Sequence, residues 1–120
     1  MAESFKIRTS WTPLRMMRGQ KEPTYLNVEV KNTSEEPKNY SLILSAPYPL
    51  GFDTTAITRE RREKIAAVKP NETRKVPFTV FSRANVEQGQ HTLELLVKEH
   101  EAKFDRVIDE SMSTVQLRVE

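Results

Sequence analysis

Phe5, Ile7, Thr9 and Trp11 are separated by Lys6, Arg8 and Ser10. The same every-second-residue rhythm returns at Leu26, Val28 and Val30, at Tyr40, Leu42 and Leu44, and at Val76, Phe78 and Val80. It appears again at Leu93, Leu95 and Val97 and at Val115, Leu117 and Val119. A strand sends successive side chains to opposite faces, so each run predicts a strand with one buried side. With a weaker run at Ile65–Val68, the pattern predicts an all-β chain. The expected architecture is an immunoglobulin-like sandwich of about seven antiparallel strands in two sheets, with residues 1–120 as one domain.

Turn chemistry separates the runs. Asn32-Thr33-Ser34-Glu35-Glu36-Pro37 joins the second and third, and Lys69-Pro70-Asn71-Glu72 precedes the Val76 run. Proline presets the φ of a turn's second residue, and asparagine tolerates the left-handed region at the third. Glu87-Gln88-Gly89-Gln90 leads into the Leu93 run. Pro77 lies inside a strand pattern, so that strand is expected at an edge, or with position 77 turned from its partner. The stretch from Asp53 to Ile65 breaks the rhythm. Glu60 and Lys64 have helical i,i+4 spacing, so residues 54–65 read either as a short helix or as an irregular crossover.

Four segments carry a family resemblance. Leu26-Asn27-Val28-Glu29-Val30-Lys31-Asn32-Thr33 is followed by Ser45-Ala46-Pro47-Tyr48-Pro49-Leu50-Gly51-Phe52. Then come Val68-Lys69-Pro70-Asn71-Glu72-Thr73-Arg74-Lys75-Val76 and Gln88-Gly89-Gln90-His91-Thr92-Leu93. In this order they resemble the prokaryotic immunoglobulin-like sandwiches of the CARDB and NPCBM-associated type. The resemblance spans about Tyr25 to Val97. It implies a sandwich with a binding or spacer role and no catalytic residues. Asn71 stands where that group usually has glycine, and Thr33-Ser34 replaces its small-residue turn.

Composition narrows the function. The chain has no cysteine, which removes disulfides and thiolate–zinc sites and fits a reducing compartment. The net charge of +2 makes no strong demand for a polyanionic partner. No apolar run approaches the ~20 residues of a membrane helix. The start, Met1-Ala2-Glu3-Ser4-Phe5-Lys6, lacks the basic-then-apolar order of a signal peptide, so a cytoplasmic location is expected. On that reading the sequons at Asn32, Asn39 and Asn71 are turn chemistry.

Candidate chemistry is sparse. The two imidazoles, His91 and His100, read as structural. Three glycines make no phosphate loop. His100 sits among Glu99, Glu101, Asp105, Asp109 and Glu110 without metal-loop spacing, and Lys98, Lys103 and Arg106 interleave, so a solvated hairpin is expected. Arg59, Arg61, Arg62, Lys64, Lys69, Arg74 and Lys75 form a basic patch opposed by Glu60, Glu63 and Glu72. Phosphate contacts there give a nucleic-acid alternative, weakened by the lack of interleaved aromatics. The acidic stretch elsewhere permits a head-to-tail self-contact. Trp11, Met16, Met17, Tyr48 and Phe52 are the candidate partner-binding residues, being types enriched at interfaces. Trp11 and Phe52 also suit plugs at the sandwich ends. The sequence thus predicts a non-enzymatic interaction module with no cofactor and an unknown protein partner. An unpaired edge strand offers a route to a homodimer.

Overall fold

The computed structural model describes residues 4–100, 104 and 106–120, and its regular elements are all strands. In chain order these are β1 (Phe5–Thr12), β2 (Arg15–Met16), β3 (Thr24–Asn32), β4 (Lys38–Ser45) and β5 (Leu50–Gly51). They continue with β6 (Glu60–Val68), β7 (Thr73–Ser82), β8 (Gly89–His100) and β9 (Val107–Val119). One sheet has the order β1-β3-β7-β5; the other, β2-β9-β8-β4-β6, curls as a half-barrel. The alternating runs form the inner faces. Leu26, Val28, Val30, Phe78 and Val80 of the first sheet meet Tyr40, Leu42, Leu44, Leu93, Leu95, Val97, Leu117 and Val119 of the second in one buried cluster.

Two expectations need correction. The described residues form nine strands where about seven were expected, because the links Trp11–Met17 and Pro47–Phe52 each contribute a two-residue strand. One of these, β2, pairs parallel with β9 at Arg15↔Arg118 and Met16↔Val119, so the pairing is not wholly antiparallel. Residues 54–65 are neither a helix nor a crossover throughout, since β6 begins at Glu60 and pairs with β4. Its charges carry strand periodicity: Glu60 pairs with Arg62 and Arg61 with Glu63, each at 3.2 Å and two residues apart. The hydrophobic rhythm was faint because β6 is an edge strand. Arg61 and Glu63 stand opposite the buried Leu44 and Leu42 and so share their inward side. Inward charge on an edge strand discourages further strand pairing.

Pro77 pairs with Asn27 of β3, and β5 reaches only Phe81 and Ser82 of β7. Position 77 therefore has no strand on its other side, and its missing N–H costs no bond to β5. Asn71 has φ 65°, and the Glu72 N–H donates to the Lys69 carbonyl at 3.0 Å. That is the turn expected from Pro70-Asn71.

Asn32 joins the two sheets at this end. It is fully buried at the end of β3. Its side-chain amide donates to the carbonyls of Glu36 and Val68, both at 2.8 Å, while its Oδ1 accepts from the Ser34 N–H and hydroxyl. Its main chain bonds Asn71 and Glu72. At the other end, Asp53 folds the approach to β6. Its carboxylate accepts from the Thr55 hydroxyl and from the N–H groups of Ile57 and Thr58. The backbone of Ala56 lies over Gly51, where an added Cβ would come within 2.6 Å of the Ala56 Cα and carbonyl carbon.

Replacing Asn32 by alanine strands several buried polar groups. At 1–3 kcal/mol for an unsatisfied group, Asn32→Ala should cost about 3 kcal/mol in urea unfolding. A loss equal to that of a surface control would contradict the tie. Gly51→Ala should cost about 2 kcal/mol by overpacking; an unchanged unfolding midpoint would show that the Ala56 backbone yields freely.

Candidate binding cleft

The first strand changes sheets, and this opens a cleft. β1 pairs with β3, the chain turns at Pro13-Leu14, and β2 then joins β9 in the opposite sheet. Among the described residues no strand pairing joins β1 to the first part of β9. The cleft there has a volume of about 820 Å³, within the usual size of ligand sites. Phe5, Ile7 and Thr9 form one wall, Ser111, Ser113 and Val115 the other, with Ser4 and Glu99 at the end. Both ends are closed by hydrogen bonds. The Trp11 indole donates to the Gln116 carbonyl at 2.8 Å, and the Ser4 hydroxyl donates to Glu99 Oε2 at 2.5 Å. Glu99 stands opposite Asp109. Residues 4 to 11 therefore run alongside residues 109 to 116 in the same direction.

Both flanking strands turn main-chain groups toward this gap. The Ser4 carbonyl accepts from the Thr33 N–H on the β3 side. Strand alternation then directs the N–H and C=O of Phe5, Ile7 and Thr9 the other way. On β9 the Gln116 carbonyl faces β1, so the same rule turns Met112 and Thr114 toward the cleft. Glu110 shares that side, and its N–H is held by the Asp109 carboxylate at 2.8 Å. Among the described residues, β1 pairs only with β3, and β9 only with β8 and the two residues of β2.

The closed end is acidic. Glu99 is 2 % exposed, and among the described residues its Oε1 has no hydrogen-bond partner. The buried Tyr40 hydroxyl is likewise without one. Phe5 packs edge-on against the Tyr40 ring at 5.4 Å. Burial first, and the Glu99 charge second, push the Tyr40 phenol well above its ordinary value, so it stays protonated. The apolar stripe of β8 ends at Val97. Two residues further along the same face lies Glu99, and two before Val115 lies Ser113. Continuing the alternation through polar residues was the signal that would have found the cleft.

The expected interface residues do not gather at one place. Trp11 is half-buried against the core, and Phe52 is buried. Met16, paired alongside β9, is fully buried, whereas Met17 beside it is 55 % exposed. Tyr48 is 54 % exposed, accepts a hydrogen bond from the Asn85 amide at 2.9 Å, and lies under the Arg83 guanidinium.

The basic patch is interlaced with acid. Arg61 and Arg62 pair with Glu63 and Glu60, Arg74 with Glu72 at 2.6 Å, and Lys75 with Glu29 at 3.8 Å. Lys64 lies 5.1 Å from the centre of the Phe104 ring. Arg59 and Lys69 are exposed at either end of β6.

The acidic hairpin is less solvated than expected, because Glu99 and His100 are both buried. Glu101, Lys103 and Asp105 of that reading, like Met1-Ala2-Glu3 at the start, lie outside the described residues. His100 Nδ1 is 2.9 Å from the Arg106 carbonyl and its Nε2 is 2.8 Å from the Ser41 hydroxyl. A carbonyl only accepts, so Nδ1 carries the proton and Nε2 accepts from Ser41. This is the arrangement of a nucleophile and its base, but His100 is 3 % exposed, and neither side chain lines the cleft. Among the described residues no three acidic or imidazole side chains group as a metal site. No helix there is long and apolar enough to cross a membrane.

No protein-family model matches the chain, and no curated protein resembles it in sequence.

Two exposed carboxylates are held below their ordinary values. Asp53 is lowered by the Thr55 hydroxyl first and then by the Thr58 and Ile57 N–H groups. Glu72 is lowered by Arg74 first and then by the Lys69 N–H. A carboxyl depressed on folding adds stability above its unfolded value, and that contribution is lost as pH falls through the folded one. Unfolding midpoints should therefore fall more steeply below pH 3.8 in the wild type than in Asp53→Asn. Equal slopes would remove Asp53 from the acid response.

Proposed function

We propose that the protein is a non-enzymatic interaction module that accepts an extended peptide strand between β1 and β9. The observation that carries this is the pair of strand edges that flank the cleft in the same direction and have no strand partner there among the described residues. Main-chain hydrogen bonds from an added strand are a general route to peptide binding. The stretch from Phe5 to Thr9 offers roughly 13 Å of edge, at about 3.3 Å per residue, so about five ligand residues engage. Alternate ligand side chains point inward between Ile7 and Ser113.

The family reading belongs to the same proposal. The order β1-β3-β7 facing β9-β8-β4-β6 matches the A-B-E and G-F-C-C′ arrangement of immunoglobulin-like domains. The motif residues Asn32, Gly51 and Asn71 each meet a structural demand, and Gly89 has φ 125°. These are the positions on which the proposed likeness to the CARDB and NPCBM-associated group rests. The absence of cysteine fits a reducing setting such as the cytoplasm. Nucleic-acid binding through residues 59–75 is disfavoured by the carboxylate partners of Arg61, Arg62, Arg74 and Lys75.

The test is amide chemical-shift mapping with a neutral probe, Gln-Val-Thr-Val-Thr-Val-Thr, at millimolar concentration. Shifts are expected at Phe5–Thr9 and at residues 110–114. They should vanish in Ser113→Trp, which fills the cleft, and with a probe N-methylated at alternate amides. Shifts confined to other surfaces would sink the proposal. The same shifts appearing on protein concentration alone would assign the edges to a second copy of the chain.

A further inference from the structure

The buried acid at the end of the cleft points to what the bound strand carries, an inference that rests on the strand-accepting reading above. An ionised carboxylate taken out of water is costly unless it is paired. Glu99 has one oxygen satisfied by Ser4 and, among the described residues, one without a partner. The cleft lining contains Glu99, Asp109 and Glu110 and, among the described residues, no lysine or arginine. A cationic side chain supplies what this end lacks, since an ammonium or guanidinium brings several donors and the opposite charge.

Strand direction fixes where the cation sits. β1 and β9 run the same way past the cleft, from the Glu99 end toward Trp11. A strand laid between them is antiparallel to both in the more stable pairing. Its C-terminal end then lies beside Glu99. The cation occupies an inward position, in phase with the apolar residues that precede it.

We propose that the cleft selects a peptide strand with alternating small apolar residues and a lysine or arginine at its C-terminal inward position, the cation docking on Glu99. Asp109 and Glu110 at the rim add to the attraction. Specificity therefore sits at one position, with the rest of the contact made by main chain. The geometry excludes an acidic residue there, because it would face Glu99 with no cation between them.

The experiment compares three peptides by calorimetry and by the same amide shifts. Gln-Val-Thr-Val-Thr-Lys-Thr carries the cation at the C-terminal inward position. A second peptide has glutamine in place of lysine, and a third, Gln-Lys-Thr-Val-Thr-Val-Thr, moves the lysine to the N-terminal inward position. The first is expected to bind at least tenfold more tightly than either control. In Glu99→Gln, which keeps the shape and removes the charge, that preference should fall to within twofold, while the thermal midpoint holds or rises. Equal binding of the three peptides at the cleft would overturn the cation assignment and leave strand acceptance standing. Retained preference in Glu99→Gln would overturn the role of Glu99. Binding of n-butylamine as tight as that of the lysine peptide would replace the peptide by a small amine. No binding by any peptide would remove strand acceptance itself.

Discussion

One buried amide holds the two sheets in register. Asn32 ends β3 in the first sheet, and its side chain crosses to the Val68 carbonyl that ends β6 in the second. It also fastens the loop at Ser34 and Glu36 and, through its main chain, the turn at Asn71 and Glu72. Four segments thus converge on a residue with no exposed surface. Burying so many main-chain groups is tolerable only because each finds a partner. At the β1–β9 seam the described residues show no such tie along the gap, and the Ser4–Glu99 and Trp11–Gln116 hydrogen bonds close its two ends.

The alternation made the layers legible. Every long strand with a continuous apolar stripe was readable, because a two-residue period has one physical explanation on a half-buried surface. β6 was readable only at its last turn of apolar residues. Its inward positions include Arg61 and Glu63, and at a sheet's margin the cost of such charges is small. The helical spacing of Glu60 and Lys64 was a coincidence of two periods, for positions four apart also share one face of a strand. β2 and β5 were unreadable because two residues carry no periodicity; they exist where longer neighbours present a free edge.

The cleft was legible in half. Phe5, Ile7 and Thr9 announce an inner face, but their openness depends on β1 leaving for the other sheet at Pro13, which no local pattern states. Ser111 and Ser113 look like surface residues, and their inward orientation follows only from pairing opposite Val97 and Leu95. Glu99 looked like one charge in a solvated hairpin, yet register opposite Tyr40 carries it inside. Residue type identified Met16 and Met17 alike. A single-residue change of side buried one wholly and left the other in solvent.

The two seams of the molecule differ in kind. Along β6 and β7 the margin is occupied by charges that neutralise one another in pairs two residues apart. Along β1 and β9 it offers bare peptide groups. An open-ended stack of copies needs a receptive margin on each side, so that growth at one leaves another for the next. A strand added at the bare seam would therefore leave only a charged margin facing outward, and inward charge on an edge discourages further pairing.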